Sequence, residues 1–454
     1  MVAGSSGISS VKVQTLNGFG FAALRRQFSQ ITKWELDARK VGKLVTLVGQ
    51  DRKLKLAADD WLAVAKLVGA AQTIGLVPKR QGTGLVADDE AIWQRLGDSL
   101  LIRRDDLEFV SELAREVLER NNDLTAQGKI SFDDQVYYPT VFGAEFTRYP
   151  AILLDEAQDL NGLNHEMVGR GLRAGGRLFI CGDPLQSIYA FRGSVRDSMG
   201  KMTQMDSSWQ HLGLTMTFRC PQVVVDRQQG HARGFRASPT CGAGQYIRLG
   251  EDENEGWSWA EIPQSSSIAV LCRNNAPLLG MAFKLIRRRI GVVMLGRDIG
   301  KGLIALCKKI EPDLTGHAAQ FAGKLADWEE DEVGTALANG LTANAESIQD
   351  RADCIRAVME GTSPRTVEDI CGQLASLFAR EQGLVTLSSI HKAKGLEWEV
   401  VIHLDPWRLP SKQAKRALIA GDSGPMEQEM NLRYVAETRT KRVLMEANLK
   451  DFVA

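Results

Sequence analysis

Short apolar runs recur along the chain and end in polar or acidic residues: VKVQTLN at 11–17, AILLDE at 151–156, RLFICGD at 177–183, SIAVLCRN at 267–274 and VVIHLD at 400–405. An unbroken run such as Ala151 to Leu154 predicts a strand covered on both faces, as in parallel sheets flanked by helices. Between the runs, apolar residues return at helical spacing. Leu107, Val110, Ala114, Val117 and Leu118 form one stripe, with Asp105 and Asp106 as N-cap candidates. Val367, Ile370, Cys371, Leu374, Leu377 and Phe378 form another, preceded by Thr366 with Asp369 three residues on, the spacing of a capping box. Strands alternating with helices predict an α/β fold with doubly wound parallel sheets.

The strand-like runs fall into two groups, and the Gly/Ser/Pro-rich ASPTCGAGQ at 237–245 marks the expected join. The reading is therefore of two domains, residues 1–235 and 245–454, with helical insertions at about 40–130 and 300–380. No apolar stretch has the length of a bilayer span, and MVAGSSGISS lacks the basic and apolar segments of a secretory signal, so the expected location is cytoplasmic. Seven scattered cysteines without a CxxC pair suggest reduced buried thiols rather than a structural zinc site. Lys plus Arg and Asp plus Glu both number 56, so any nucleic-acid partner has to be argued from local sites.

Two stretches carry the chemistry. In AILLDEAQDLN at 151–161, Asp155 and Glu156 fall at the carboxyl end of a strand, the edge of an open α/β sheet where ligands bind. An acid pair there suits a magnesium and water site, or else an acidic turn leading into a helix. GDPLQSIYAFRGS at 182–194 follows the next strand and is too specific for a generic loop. With DEAQD it resembles the superfamily-one helicases of the UvrD/Rep/PcrA type. The blocks LTMTFRC (214–220), VTLSSIHKAKGLEWEVV (385–401) and NLRYVAETRTKRVL (431–444) follow in the family's order. VQTLNGFGFAALRR at 13–26 is similar to an early block that touches single-stranded DNA.

This resemblance implies two RecA-like parallel-sheet domains of the P-loop-NTPase type, a DNA helicase or translocase driven by ATP and Mg²⁺, and 3′ to 5′ movement. Asp155 would hold the metal ion and Glu156 would orient or deprotonate the attacking water. Gln186 would reach the γ-phosphate. Arg219 and Arg439 correspond to the family's two arginines, which converge on the transferred phosphoryl group from opposite sides of a cleft. Phe218 stands where an aromatic stacks on adenine, and in KGLEW Gly395 and Glu397 belong to the nucleotide site, Glu397 toward the ribose hydroxyls.

The expected partners are single-stranded DNA and its junctions with duplex. Tyr189, Phe191 and Arg192 would meet bases and phosphates, since aromatic faces stack on bases without reading sequence. His391 matches the family's DNA-contacting histidine, Ser389 stands where Thr is usual, and Thr15 and Asn17 fall in the early block. Outside these blocks, the basic KLIRRR at 284–289 reads as a solvated helix face, and Trp398 and Trp407 as packing residues.

One family element is not found. A phosphate-cradling GxxxxGK[ST] loop occurs nowhere in the sequence, and GRDIGKG at 296–302 lacks both its spacing and its hydroxyl, which suits a helix-start loop instead. The expectation is a first domain incomplete at its N-terminus, poorly able to stand alone, with activity depending on a loop-bearing N-terminal segment that is either missing from this sequence or encoded as a separate polypeptide. The competing expectation is a catalytically inactive, helicase-derived module that binds single strands with a steep salt dependence.

Overall fold

A computed structural model describes residues 11–100, 102, 104–188, 197–204, 208–250, 256–265, 267–338, 342–379 and 382–453. The chain separates into two compact units, one formed by Met1–Pro184 with Tyr189–Trp209 and the other by Leu185–Ile188 with Gln210–Ala454.

The first unit is mostly helical. Helices Lys40–Asp51, Ala58–Thr73, Glu90–Ser99 and Arg104–Ala126 occupy the span expected to be an insertion. The stripe Leu107, Val110, Ala114, Val117 and Leu118 is buried with Leu67, Val68, Trp93 and Tyr137. The last of these helices begins at Arg104, so Asp105 and Asp106 belong to its first turn rather than capping it. At the centre of this bundle Lys40, fully buried, donates to the Asn121 carbonyl at 2.8 Å, Thr125 Oγ1 at 2.7 Å and Asp134 Oδ2 at 2.8 Å. Three acceptors, one of them charged, offset the cost of taking the ammonium out of water. Strands β1 (Glu35–Leu36) and β2 (Lys129–Ile130) pair in parallel beside it.

Residues 11–17 depart from the expected strand. They lead into helix Leu16–Gln27, where Thr15 is the N-cap and its hydroxyl accepts the Gly18 N–H at 3.1 Å. A Thr able to satisfy an orphan helix N–H outweighs the short apolar alternation of Val11 and Val13, whose side chains are exposed.

Strands β3 (Tyr149–Leu154) and β4 (Leu172–Ile180) pair in parallel, Ile152 with Leu178 and Leu154 with Ile180, and among the described residues they form a two-stranded sheet. One face, Ile152, Leu154, Leu178 and Ile180, packs on Ala157, Leu160, Val168 and Met202. The other does not: Leu153 is 78 % exposed and Phe179 is exposed with it. The expectation of a strand covered on both faces fails because side chains alternate along a strand and, among the described residues, only one layer lies against this pair.

The second unit holds a six-stranded sheet, every pairing in it parallel. After the two-residue pair β5 (Met216–Thr217) and β6 (Arg236–Ala237) come β7 (Gln245–Arg248), β8 (Ile268–Cys272), β9 (Val292–Met294), β10 (Val385–Ser389), β11 (Trp398–Leu404) and β12 (Thr440–Ala447). Their order across the sheet is β7-β12-β11-β8-β10-β9. Central β8 is buried at every position, as an apolar run flanked on both sides by strands and covered by helices must be.

Helices Arg297–Ile310, Ala318–Ala338, Thr342–Thr362 and Val367–Ala379 fill the second expected insertion. The capping box is present: Asp369 Oδ2 accepts the Thr366 N–H at 3.0 Å and Thr366 Oγ1 accepts that of Asp369 at 3.2 Å. GRDIGKG starts a helix, with Gly296 at φ +122° just before Arg297.

Three smaller expectations need correction. KLIRRR is only partly a solvated face: Arg287 and Arg289 are exposed at the helix end, yet Lys284 donates to the Leu449 and Phe452 carbonyls, Arg287 to those of Glu360 and Gly361, and Arg288 to that of Val453. Trp398 is buried, whereas Trp407 is 59 % exposed with Arg408 stacked 4.5 Å from its ring centroid. The seven cysteines are free, but Cys181 is exposed and Cys241 half-buried.

Candidate functional site

In the first unit Asp155 and Glu156 follow β3 directly and both are exposed. Glu156 adopts a left-handed backbone, φ +54° and ψ 38°, a conformation costly for a residue with a Cβ and common at functional turns. Asp155 Oδ1 accepts the Glu156 N–H at 3.0 Å. The turn is held by Gln158, which is buried: its Nε2 donates to Glu156 Oε2 at 2.5 Å and its Oε1 accepts the Asp183 N–H at 3.1 Å. A Cβ on Gly182 would lie 2.4 Å from Gln158 Oε1, so only glycine lets the GDP loop come this near. Ser198 Oγ closes the turn from below by donating to the Ala157 carbonyl at 2.8 Å, with His165 Nε2 2.9 Å from the same hydroxyl.

The second unit gathers a different set. Arg439 ends the turn before β12 with only 1 % of its surface exposed. Its Nε donates to the Val435 carbonyl at 3.1 Å, its Nη1 to that of Leu396 at 3.4 Å, and its Nη2 to Thr438 Oγ1 at 3.2 Å and Gln186 Oε1 at 3.4 Å. Lys394 Nζ fixes the Gln186 carbonyl at 2.9 Å, and Asn431 Nδ2 fixes that of Ser187 at 3.0 Å. Arg219 points its Nε at Glu397 Oε2, 2.6 Å away, while Lys441 Nζ stands 2.5 Å from Glu397 Oε1. These cations, Lys441 foremost, hold the Glu397 carboxyl below the usual glutamate range.

The sequence reading sets Arg219 and Arg439 on opposite walls of a cleft; here both belong to the second unit. Both lie near Cys220, whose thiol pKa burial pushes up while the Thr217 hydrogen bond and the two guanidinium charges oppose it. Phe218, next to Arg219, is 77 % exposed, an open aromatic face. Gly395 has φ +82°, a turn that favours glycine, two residues before Glu397.

Of the residues expected at DNA, Tyr189, Phe191 and Arg192 lie outside the described residues. Ser389 is the buried residue that starts the short helix Ile390–Ala393, and His391, half-buried, sits within it. Thr15 is occupied as a helix cap, and Asn17 Nδ2 donates to the Phe132 carbonyl at 2.7 Å, so both have structural duties.

Sequence reasoning missed Gln158, Lys394 and Lys441 as site residues. Gln158 was visible as the Q of DEAQD; the two lysines resemble surface cations until the partners they reach across the chain are known. A cavity of about 580 Å³ in the helical bundle, lined by Trp61, Gly69, Gln72 and Asp133 among others, contains none of the expected site residues. His403, Glu437 and Glu446 place ligand atoms within 4.8 Å of one another. Arg227 and Arg433 already bind both carboxylates, and a metal ion would have to displace two guanidinium charges to enter.

Comparison with known proteins agrees with the order of these blocks. Residues 2–205 match the UvrD/REP helicase N-terminal domain and residues 367–447 the UvrD-like helicase C-terminal domain. The ATP-dependent DNA helicase UvrD2 of Mycobacterium tuberculosis is 25% identical over 495 residues, covering 96% of this chain and 67% of that protein. F-box DNA helicase protein 1 of Schizosaccharomyces pombe is 27% identical over 317 residues, covering 66% of this chain and 34% of its own length. F-box DNA helicase 1 of Gallus gallus is 25% identical over 372 residues, covering 78% and 34%.

Proposed function

Because the chain belongs to the UvrD/Rep family of DNA helicases, with the parallel α/β sheets of RecA-like domains, we propose that it couples ATP hydrolysis to movement along single-stranded DNA. The reading includes 3′ to 5′ polarity and a role in repair, recombination or replication, both on the strength of the family resemblance. The observation that carries it is the arrangement around Arg439, a buried guanidinium with a neutral amide, Gln186, as one of its acceptors. That hydrogen bond brings together two side chains, Gln186 and Arg439, that the family resemblance assigns to the same transferred phosphoryl group.

Exposed carboxylates at the end of β3 are hard oxygen donors and fit a magnesium ion, with Asp155 as the holder. Bound there, the ion supplies positive charge against phosphate oxygens. Glu156, its orientation fixed by Gln158, takes or aligns the proton of the attacking water. Arg219 and Arg439 stabilise charge that develops on the transferred phosphoryl group, a task in which arginine fingers contribute about 10³–10⁵ in rate. Gln186 senses that group and passes its state to the residues that follow it, expected to stack on bases. Phe218 and Glu397 hold adenine and ribose. Hydrolysis requires a GxxxxGK[ST] segment, which residues 1–454 do not contain.

The test is to mix the chain with a polypeptide bearing that segment and to measure ATP hydrolysis with and without single-stranded DNA. DNA-stimulated hydrolysis that disappears in Glu156→Gln is expected. No hydrolysis with both parts folded, together with salt-sensitive DNA binding that ATP analogues do not change, would establish the non-catalytic binding module instead.

A further inference from the structure

Glu397 is shared by two cations of unlike origin. Its Oε1 faces Lys441 Nζ at 2.5 Å and its Oε2 faces Arg219 Nε at 2.6 Å. Lys441 lies on β12, whose first residue, Thr440, is in register with Trp398, the residue after Glu397. The Trp398 N–H donates to the Arg439 carbonyl at 2.9 Å, so Glu397 and Lys441 stand at the same end of two adjacent, hydrogen-bonded strands. Arg219 comes instead from the turn after β5, a strand of two residues. The side chains of Arg219, Glu397 and Lys441 are 34%, 39% and 38% exposed. Ion pairs this exposed contribute little to stability and exchange easily.

We propose that Lys441 is the positioning residue for the sugar-binding carboxylate, anchoring Glu397 Oε1 while Oε2 exchanges Arg219 for a ribose hydroxyl as Arg219 turns to the polyphosphate. The proposal rests on the reading of Glu397 as the ribose ligand. The exchange leaves the count of hydrogen bonds on Oε2 unchanged and releases a guanidinium at the moment an anionic ligand arrives. Without Lys441 the freed carboxylate would have no fixed partner and would follow Arg219.

The experiment is a titration of the full chain, mixed with the polypeptide bearing the GxxxxGK[ST] segment, with Mg-ATP and with Mg-2′,3′-dideoxy-ATP by calorimetry, for the wild type, Lys441→Ala, Lys441→Arg and Glu397→Gln. The wild type is expected to prefer ATP about tenfold, the scale of one hydrogen bond to a charged group. Lys441→Ala should cut that preference to about twofold by weakening ATP while sparing dideoxy-ATP, and Lys441→Arg should restore it. A merely structural lysine would weaken both nucleotides alike. If Glu397→Gln abolishes the preference and Lys441→Ala keeps it whole, the positioning role is wrong and the ribose reading stands. If the wild type binds neither nucleotide, or Glu397→Gln leaves the preference intact, the ribose reading itself fails and this inference with it.

Discussion

Gln158 donates to Glu156 through its Nε2, a 2.5 Å hydrogen bond inside the DEAQD turn, and so ties an exposed acid to a buried amide. The same amide accepts the Asp183 N–H, which links the end of β3 to the GDP loop that follows β4. Replacing Gln158 with Leu removes both of these hydrogen bonds. The predicted loss is ~1–3 kcal/mol of stability in the first unit, read by urea denaturation. In the reconstituted assay it should also lower hydrolysis by about tenfold or more, because the base is no longer aimed.

Arg439→Ala should be costly in two separable ways. Truncation leaves the Val435 and Leu396 carbonyls without this donor in a buried site, for a predicted loss of ~2–4 kcal/mol from the second unit by chemical denaturation. Arg219→Ala, in an exposed ion pair, should leave stability within about 0.5 kcal/mol of the wild type while abolishing hydrolysis as fully. Equal stability losses in the two variants would remove the distinction drawn between them.

His403 provides a pH prediction. It is buried, its two ring nitrogens have no hydrogen-bond partner, and desolvation brings its pKa down to about 4, against the attraction of Glu437 and Glu446 and in line with the nearby Arg433 and Arg227 charges. A histidine whose folded pKa is depressed binds more protons when unfolded. Its contribution to stability is therefore complete above about 6.5 and declines as pH falls from there toward 4. Denaturation midpoints should fall across that window, and His403→Leu should flatten much of the slope and raise the plateau near neutral pH. An unchanged slope in the variant would assign the titration to other groups.

Lys40 and Asp134 form a buried pair in the helical bundle. Lys40→Ala should cost ~3–5 kcal/mol, because Asp134 is left buried and charged, whereas Lys40→Met paired with Asp134→Leu should recover most of the loss. The measurement is thermal unfolding of the wild type and the two variants. If the double variant is no better than the single one, the network of Gln72, Asn121 and Ser131 around Asp134 is what matters.

Much of the architecture was legible because it follows from periodicity. The runs at 268–272 and 398–404 are buried strands, and the Thr366 and Asp369 spacing closes a capping box. What failed depended on neighbours that a local pattern does not specify. VKVQ alternates like a strand, but among the described residues no strand pairs with it and Thr15 caps a helix. AILL has the composition of an inner strand, yet Ala151 and Leu153 on one of its faces are exposed. Trp407 was misjudged for the same reason, placed by an adjacent arginine, and the solvated reading of KLIRRR missed its hydrogen bonds to carbonyls some 70 to 170 residues away. Candidate site residues were named through motifs; Gln158 stood within one of them, while Lys441 emerged only from the partner it reaches.

The outward face of β3 and β4 has a practical corollary for anyone handling this chain. Environment-sensitive dyes that fluoresce on oily surfaces will bind the native molecule beside Leu153 and Phe179 and glow before any heating begins. A melting curve followed that way would start high and mislead, so intrinsic tryptophan emission or circular dichroism is the sounder reporter.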